Sequence, residues 1–239
     1  MPRPKNPFFR FQQFTVWHDQ CALKVCTEAC ILGSYVPVST AQKVLDVGTG
    51  TGLLALMMAQ RNPHLSIDAI EIDEASARQA VQNISQSPFS EQIRVEKSAI
   101  QTWQAASFGY DLIVSNPPFF ANHLRASDAA RNRALHTETL SLEDLATAIN
   151  KFLAANGHFV VLLPPYQTQQ LTDILADLSL YPAVQLQVFQ QPQKPMFRQI
   201  TTFIRNKVAC TTQTLYIHEA NGGYSEAFRE LLKDYYLIF

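Results

Sequence analysis

Two short stretches of this chain carry the residues that could do chemistry. The first is Asp46-Val47-Gly48-Thr49-Gly50-Thr51-Gly52, which places 3 of the chain's 8 glycines within five positions. Such crowding marks a backbone that must adopt conformations, or approach a ligand, in ways a Cβ would block. A dinucleotide turn needs G-x-G-x-x-G so that a pyrophosphate can rest on a helix N-terminus. This chain has G-x-G-x-G with an acidic residue ahead of it. Asp46 beside a pyrophosphate would be repelled; beside a cationic sulfonium amino acid it is acceptable. Glu71 closes the next apolar stretch, and a carboxylate there can accept both hydroxyls of a ribose. S-adenosylmethionine is the ligand that fits these features together. The plain alternatives are a structural tight turn at the glycines and a solvated strand-end charge at Glu71.

The second stretch is Ser115-Asn116-Pro117-Pro118-Phe119-Phe120. Pro117 and Pro118 fix φ, and a residue before a proline is pushed out of the α region. The result is a stiff bracket with one side-chain amide and an aromatic face beside it, which suits a planar nitrogen substrate. An exocyclic amine shares its lone pair with its ring and is a poor nucleophile. Hydrogen bonds from that amine to the Asn116 side-chain oxygen and the Pro117 carbonyl would aim the lone pair at a methyl carbon. Phe119 would stack on the ring. Catalysis would then be mainly positioning on a donor that is already activated. The plain alternative is a structural Pro-Pro turn beside a core Phe.

Both stretches must follow strands for this to work. Residues 43–47 read as a buried strand leading into the glycine turn and a helix over 52–61. A strand over 66–72 follows, then a helix capped by Asp73 and running to 85. Further strands are expected at 93–97, 110–115 and 158–163. Ser141, with Asp144 three residues on, opens a helix to about 155, ended by Gly157. A helix over 166–178, a strand pair at 183–189 and 198–205, one more candidate strand at 213–218 and a helix at 224–235 complete the chain. Strand–helix alternation implies a doubly wound, mostly parallel α/β sheet. The late pair is joined by too short a link for a crossover helix, so it must be an antiparallel hairpin at one edge. In such a sheet the carboxyl ends of the strands open onto one crevice, which brings the two stretches face to face. Residues 20–35 carry helical spacing, and residues 1–13 read as a basic, aromatic arm that orders only against something else. The organisation is a single domain, with 1–35 as an arm and helix packed on 36–239.

Composition excludes several classes. The chain has 239 residues, 47% of them apolar and 16% charged, so it has ample core and is not globally disordered. Lys plus Arg is 19 and Asp plus Glu is 20, a net charge of −1, which rules out a strongly basic domain but not a local basic face. The 4 cysteines form no CxxC pair, and reduced core thiols rather than a metal or redox site are expected. The N-terminus lacks the apolar stretch of a signal peptide, and no window approaches a membrane helix. A cytoplasmic protein with no membrane partner is expected. No self-complementary apolar stripe is evident, so a monomer is the default.

The strand before DVGTGTG, the strand end at Glu71 and NPPF together resemble the class I S-adenosylmethionine-dependent methyltransferases that act on planar amino or amide nitrogens. The flanks narrow the match. FRFQQFTVWHDQCALKVCTEACILGSYVPV, HTETLSLEDL and YSEAFRELLKDYYLIF resemble the bacterial family that methylates N6 of the adenine beside the anticodon (tRNA position 37) of valine tRNA. The similarity runs from about Phe9 to the C-terminus. It implies a Rossmann-like seven-stranded sheet with an antiparallel edge hairpin and S-adenosylmethionine as methyl donor. Cofactor contacts are implied at Lys24, Thr27, Asp46, Gly48, Thr49, Gly50, Gly52, Leu53, Glu71, Ile72, Ser98, Ala99 and Asn116, and catalytic roles at Asn116, Pro117, Pro118 and Phe119. Three positions depart from the pattern: Phe119 stands where Tyr is common, Thr27-Glu28-Ala29 where Thr-Asp-Gly is common, and Ser98 where Asp is common.

An adenine in a folded anticodon loop would have to be splayed out into the crevice. Basic clusters that could meet RNA phosphates are Arg3, Lys5 and Arg10 in the arm, Arg125, Arg131 and Arg133 after NPPF, and Lys194, Arg198, Arg205 and Lys207 around the late hairpin. Arg10, Arg125, Arg131, Arg133, Lys194 and Arg198 are the candidates for RNA contact. Phe8, Phe9 and Phe11 could stack on bases or pack on the domain. His18 and His136 read as structural. Competing functions are a guanine-N2 methyltransferase acting on ribosomal RNA, a methyltransferase of a protein glutamine amide, a nicotinamide-dependent oxidoreductase and a non-catalytic RNA-binding module.

Overall fold

The computed structural model describes residues 6–21, 24–105, 109–118 and 140–239. It opens on an antiparallel hairpin, Phe8–Arg10 (β1) and Thr15–Trp17 (β2), followed by Thr27–Tyr35 (α1). Then Lys43–Val47 (β3), Leu53–Arg61 (α2), Ser66–Glu71 (β4), Glu74–Ser85 (α3) and Ile93–Lys97 (β5) alternate. Tyr110–Ser115 (β6), Leu142–Phe152 (α4), Leu153–Leu163 (β7) and Pro165–Asp177 (α5) follow. The last elements are Tyr181–Phe189 (β8), Met196–Ile204 (β9), Thr211–Tyr216 (β10) and Glu226–Leu232 (α6).

Local chemistry sets several of these boundaries. The Asp73 carboxylate accepts from the Ser76 amide at 2.8 Å and opens α3. The Ser141 hydroxyl accepts from the Asp144 amide at 3.0 Å and opens α4. Each side chain satisfies one of the amides that a helix start leaves without an intrahelical partner. Pro165 stands at the start of α5, where its missing N–H costs nothing.

The eight main strands form one sheet in the order β10-β8-β9-β7-β6-β3-β4-β5. β7, β6, β3, β4 and β5 are mutually parallel, and β9 runs antiparallel between β7 and β8. The sheet therefore has eight strands rather than seven. The late hairpin exists, but it is not the edge: β10 pairs in parallel with β8 outside it. The antiparallel β9 ends where β8 begins. A short link therefore suffices to start β10 alongside β8 without a crossover helix. α1, α2, α3 and α6 cover one face, and α4 and α5 the other.

Three sequence expectations change. Among the described residues the N-terminal arm is held by the domain itself, with Phe11 and Phe14 buried and stacked at 4.6 Å. Burying an aromatic side chain stabilises by roughly 1.5–3 kcal/mol, enough for two of them to hold a short hairpin without any partner. The first helix starts at Thr27, not at 20. β7 starts at Leu153, so Gly157 lies inside a strand rather than ending a helix. A Cβ at Gly157 would stand 2.7 Å from the Tyr110 carbonyl oxygen; the glycine is needed for the close approach of β7 to β6.

Candidate active site

The glycine turn leaves β3 and enters α2. Gly48, Gly50 and Gly52 have φ of +74°, +56° and +81°, values that L side chains avoid. A Cβ on Gly48 or Gly50 would meet nothing within 4 Å, so these two glycines face open space. Gly52 instead packs against Ile84 and Ala80 of α3. The Gly48 and Thr49 amides both donate to the Ile70 carbonyl, at 2.9 and 3.0 Å, which ties the turn to β4.

Two carboxylates flank this cradle. Asp46 is fully buried, and one of its oxygens accepts from the Thr49 hydroxyl at 2.6 Å. Its other oxygen, Oδ1, is buried without a hydrogen-bond partner among the described residues. Burial pushes the Asp46 carboxyl up to about 7; the Thr49 hydroxyl and the Ala55 amide of α2 pull it down, and the Glu71 charge pushes it up. Glu71 holds the loop with both oxygens, accepting from the Gly50 amide at 2.8 Å and from the Asp73 amide at 2.9 Å. Each carboxylate oxygen has two lone pairs, so one on each stays available for a ligand hydroxyl.

β6 delivers the second stretch beside the first. Ser115 lies opposite Val47, and its hydroxyl donates to the Val47 carbonyl at 2.9 Å. Asn116 therefore leaves β6 about one strand spacing, ~4.8 Å, from the glycine turn. Its side-chain Oδ1 is buried and has no hydrogen-bond partner among the described residues. A buried amide oxygen without a donor is costly, so this oxygen has unused capacity to accept an N–H. Pro117 is buried and Pro118 exposed. Phe119 and Phe120 lie outside the described residues.

The comparisons with known proteins bear on this crevice. Residues 23–161 match the family model described as the methyltransferase small domain. A protein of Dyadobacter fermentans named tRNA1(Val) (adenine(37)-N6)-methyltransferase is 42% identical over 99% of this chain and 100% of its own length. One of the same name from Bacteroides fragilis is 41% identical over 97% of this chain and 98% of its own. The chain belongs to the tRNA1(Val) (adenine-N6)-methyltransferase family. Among solved structures, a predicted O-methyltransferase from Agrobacterium tumefaciens superposes with a TM-score of 0.66 at 17% identity, covering 86% of this chain and 95% of that one. A putative RNA methyltransferase from Pyrococcus horikoshii gives 0.52 at 14% identity, over 74% and 81%. These last two carry the fold alone.

The other expected cofactor positions are spread over several elements. Leu53 opens α2 and is buried, and Ile72, directly after β4, is half-exposed. The Ser98 amide donates to the Glu71 carbonyl at 2.9 Å, which keeps Ser98 and Ala99 at the mouth beside β4. Lys24 is exposed and Thr27 begins α1. The segment before them passes over the start of α3. Burial raises the Cys21 thiol pKa, a hydrogen bond with Ser76 lowers it, and the nearby Glu71, Asp73 and Asp19 carboxylates raise it.

The basic candidates separate. Lys194 is exposed in the β8–β9 turn, at the carboxyl edge of the sheet with Asn116. Arg198 pairs with Glu28 at 3.4 Å, both side chains only 22% exposed, and also donates to the Phe197 carbonyl at 2.8 Å. Arg10 is exposed on β1. Arg205 follows β9 at the opposite edge and donates to the Asn150 side chain and carbonyl, both at 3.0 Å. Lys207 sits over the Tyr181 ring there. Arg3, Lys5, Arg125, Arg131, Arg133 and His136 lie outside the described residues. His18 is buried with its Nε2 3.0 Å from the Asn6 carbonyl oxygen, a structural position.

One supporting residue gave no sequence signal. Asn83 of α3 is fully buried; it accepts from the Trp17 amide and donates to the Trp17 and Thr51 carbonyls, each at 2.9 Å. It joins the N-terminal hairpin to the glycine turn. A polar residue on an amphipathic helix is ordinarily solvent-facing, so spacing alone could not mark it.

Proposed function

We propose that this chain transfers the methyl group of S-adenosylmethionine to N6 of adenine 37 in tRNA1(Val). The observation that carries the reading is the Asn116 side-chain oxygen, buried and without a partner among the described residues, beside the open glycine cradle. The names of the relatives that match over nearly the whole chain support the substrate.

The residues present fit the donor. Gly48 and Gly50 leave room for a ligand against the backbone, Glu71 has acceptor capacity for ribose hydroxyls, and the buried Asp46 carboxylate suits a cationic group. Thr49, Gly52, Leu53, Ile72, Ser98, Ala99, Lys24 and Thr27 complete the proposed cofactor set. When bound, S-adenosylmethionine supplies a methyl carbon already activated by its sulfonium. The chain's own work is orientation. Asn116 Oδ1 accepts one hydrogen of the adenine amine, and the Pro117 carbonyl accepts the other. Both bonds draw the amine out of conjugation and direct its lone pair. Pro117 and Pro118 keep this bracket rigid. Phe119 is proposed to stack on the adenine, although it falls outside the described residues. The product cation releases a proton to water, so no tuned base is required.

Replacing Asn116 by Ala tests the role. Methyl transfer to tRNA is expected to fall by 10²-fold or more, in line with loss of an oriented hydrogen-bond partner in the transition state, while S-adenosylmethionine still binds. Undiminished transfer by Asn116→Ala removes Asn116 from the chemistry.

A further inference from the structure

The carboxyl edge of the sheet is divided. The glycine turn, Glu71 and Ser98 occupy the ends of β3, β4 and β5, and Asn116 the end of β6. The other half of the edge is formed by β7, β9, β8 and β10. It carries side chains that methyl transfer as described does not use. Among the described residues, the exposed large aromatics are Tyr166, at 64%, and Tyr216, at 38%. Both lie on this half.

Their settings differ in detail but share the carboxyl edge of the sheet. Tyr166 follows Pro164-Pro165 as the chain leaves β7, the strand next to β6, and enters α5. The Gln170 side-chain amide donates to its hydroxyl at 3.3 Å, one helical turn on. Tyr216 ends β10 opposite Phe189, which ends β8, and the two rings lie 5.3 Å apart. Leu215 and Val188, their neighbours, are buried in the core under α1 and α6. Side chains alternate along a strand, so Tyr216 and Phe189 point to the other face, the one α5 covers. Lys194 is exposed in the turn that follows Phe189.

We propose that Tyr166 and the Phe189–Tyr216 pair form a stacking strip for unpaired nucleotides next to the target adenine, with Lys194 meeting a phosphate. The proposal rests on the tRNA reading above. From β7 to β10 the edge spans three strand spacings, about 14 Å, room for a short run of unpaired bases. Single-stranded loops are recognised by aromatic faces on which bases stack, with cations tracking the backbone. On the two strands that carry the pair, the same face continues with Gln187, Thr212 and Thr214, a polar surface rather than an apolar patch of the kind a protein partner covers.

The test uses the full chain and an unmodified anticodon stem–loop of valine tRNA. Binding of the stem–loop is read by fluorescence anisotropy and binding of S-adenosylmethionine by calorimetry. Tyr166→Ala and Tyr216→Ala are each expected to weaken stem–loop binding at least about five-fold, the low end of a lost base–aromatic stack. Tyr166→Trp is expected to restore it, and affinity for S-adenosylmethionine to stay unchanged. Val208→Ala, an exposed apolar position at the opposite edge, is the control and is expected to leave RNA binding unchanged. The strip is overturned if the double Ala variant binds the stem–loop as tightly as the parent while the parent methylates tRNA. It is also overturned if Trp fails to rescue, or if the loss comes with a loss of S-adenosylmethionine affinity. A parent chain that neither binds nor methylates tRNA overturns the tRNA reading itself, and the strip with it.

Discussion

Asp46 shows how much a single side chain is asked to do in this crevice. Its carboxyl is buried, bound to the Thr49 hydroxyl, and raised to about 7 from an ordinary value of 3.8. A carboxyl that holds its proton more tightly in the folded chain than in the unfolded one costs stability as pH rises between the two values. The ligand-free protein is therefore expected to lose stability between about pH 4 and about pH 7 and to level off above. Asp46→Asn keeps an acceptor for Thr49 and removes the titration. Denaturant midpoints of the two proteins across that window check this: the parent should fall relative to the variant, and parallel curves would sink the assignment. The positions of Asp46, Glu71 and Asn116 at strand ends were legible in sequence because acidic and amide residues stood out against apolar strands. What was not legible is what else these residues hold. Glu71 clamps the Gly50 and Asp73 amides, and Arg198, read as an RNA contact, is paired with Glu28. Spacing carries no information about partners that only the folded chain brings together.

The elements that position these residues were readable in proportion to their periodicity. β5 and β6 follow the expected bounds to the residue: β5 alternates apolar Ile93 and Val95 with charged Arg94 and Glu96, and β6 carries the apolar run Leu112-Ile113-Val114. The hairpin of β1 and β2 was missed because three-residue strands show no period, and Gln12-Gln13 is no turn signal. The start of β7 was missed because Ala154-Ala155 favours a helix locally, while pairing with Tyr110 draws the segment into the sheet. The hairpin is coupled to the site through Asn83. Asn83→Ala would strand the Trp17 and Thr51 backbone groups that it serves. A loss of about 2–4 kcal/mol is expected, from several unsatisfied buried groups at 1–3 kcal/mol each after partial relaxation. Denaturant unfolding measures it, and limited proteolysis should cut near β2 before the sheet. A variant as stable as the parent would show that Asn83 does not hold the hairpin.

The whole chain is organised around one edge of one sheet. Its near-neutral net charge gives no strongly basic overall field, so RNA recognition has to rest on local features rather than on the field of the molecule. The doubly wound fold was legible from strand–helix alternation. The eighth strand's place outside the hairpin was not, because strand order is set by sheet packing rather than by any local pattern. The family, the glycine cradle and the Asn116 bracket converge on transfer of a methyl group to a base amine. Incubation of the purified chain with methyl-labelled S-adenosylmethionine and unmodified total tRNA, followed by digestion and identification of the labelled nucleoside, tests that claim most directly. N6-methyladenosine confined to valine tRNA is the predicted result. Label in any other nucleoside, or none while S-adenosylmethionine binds normally, would contradict it.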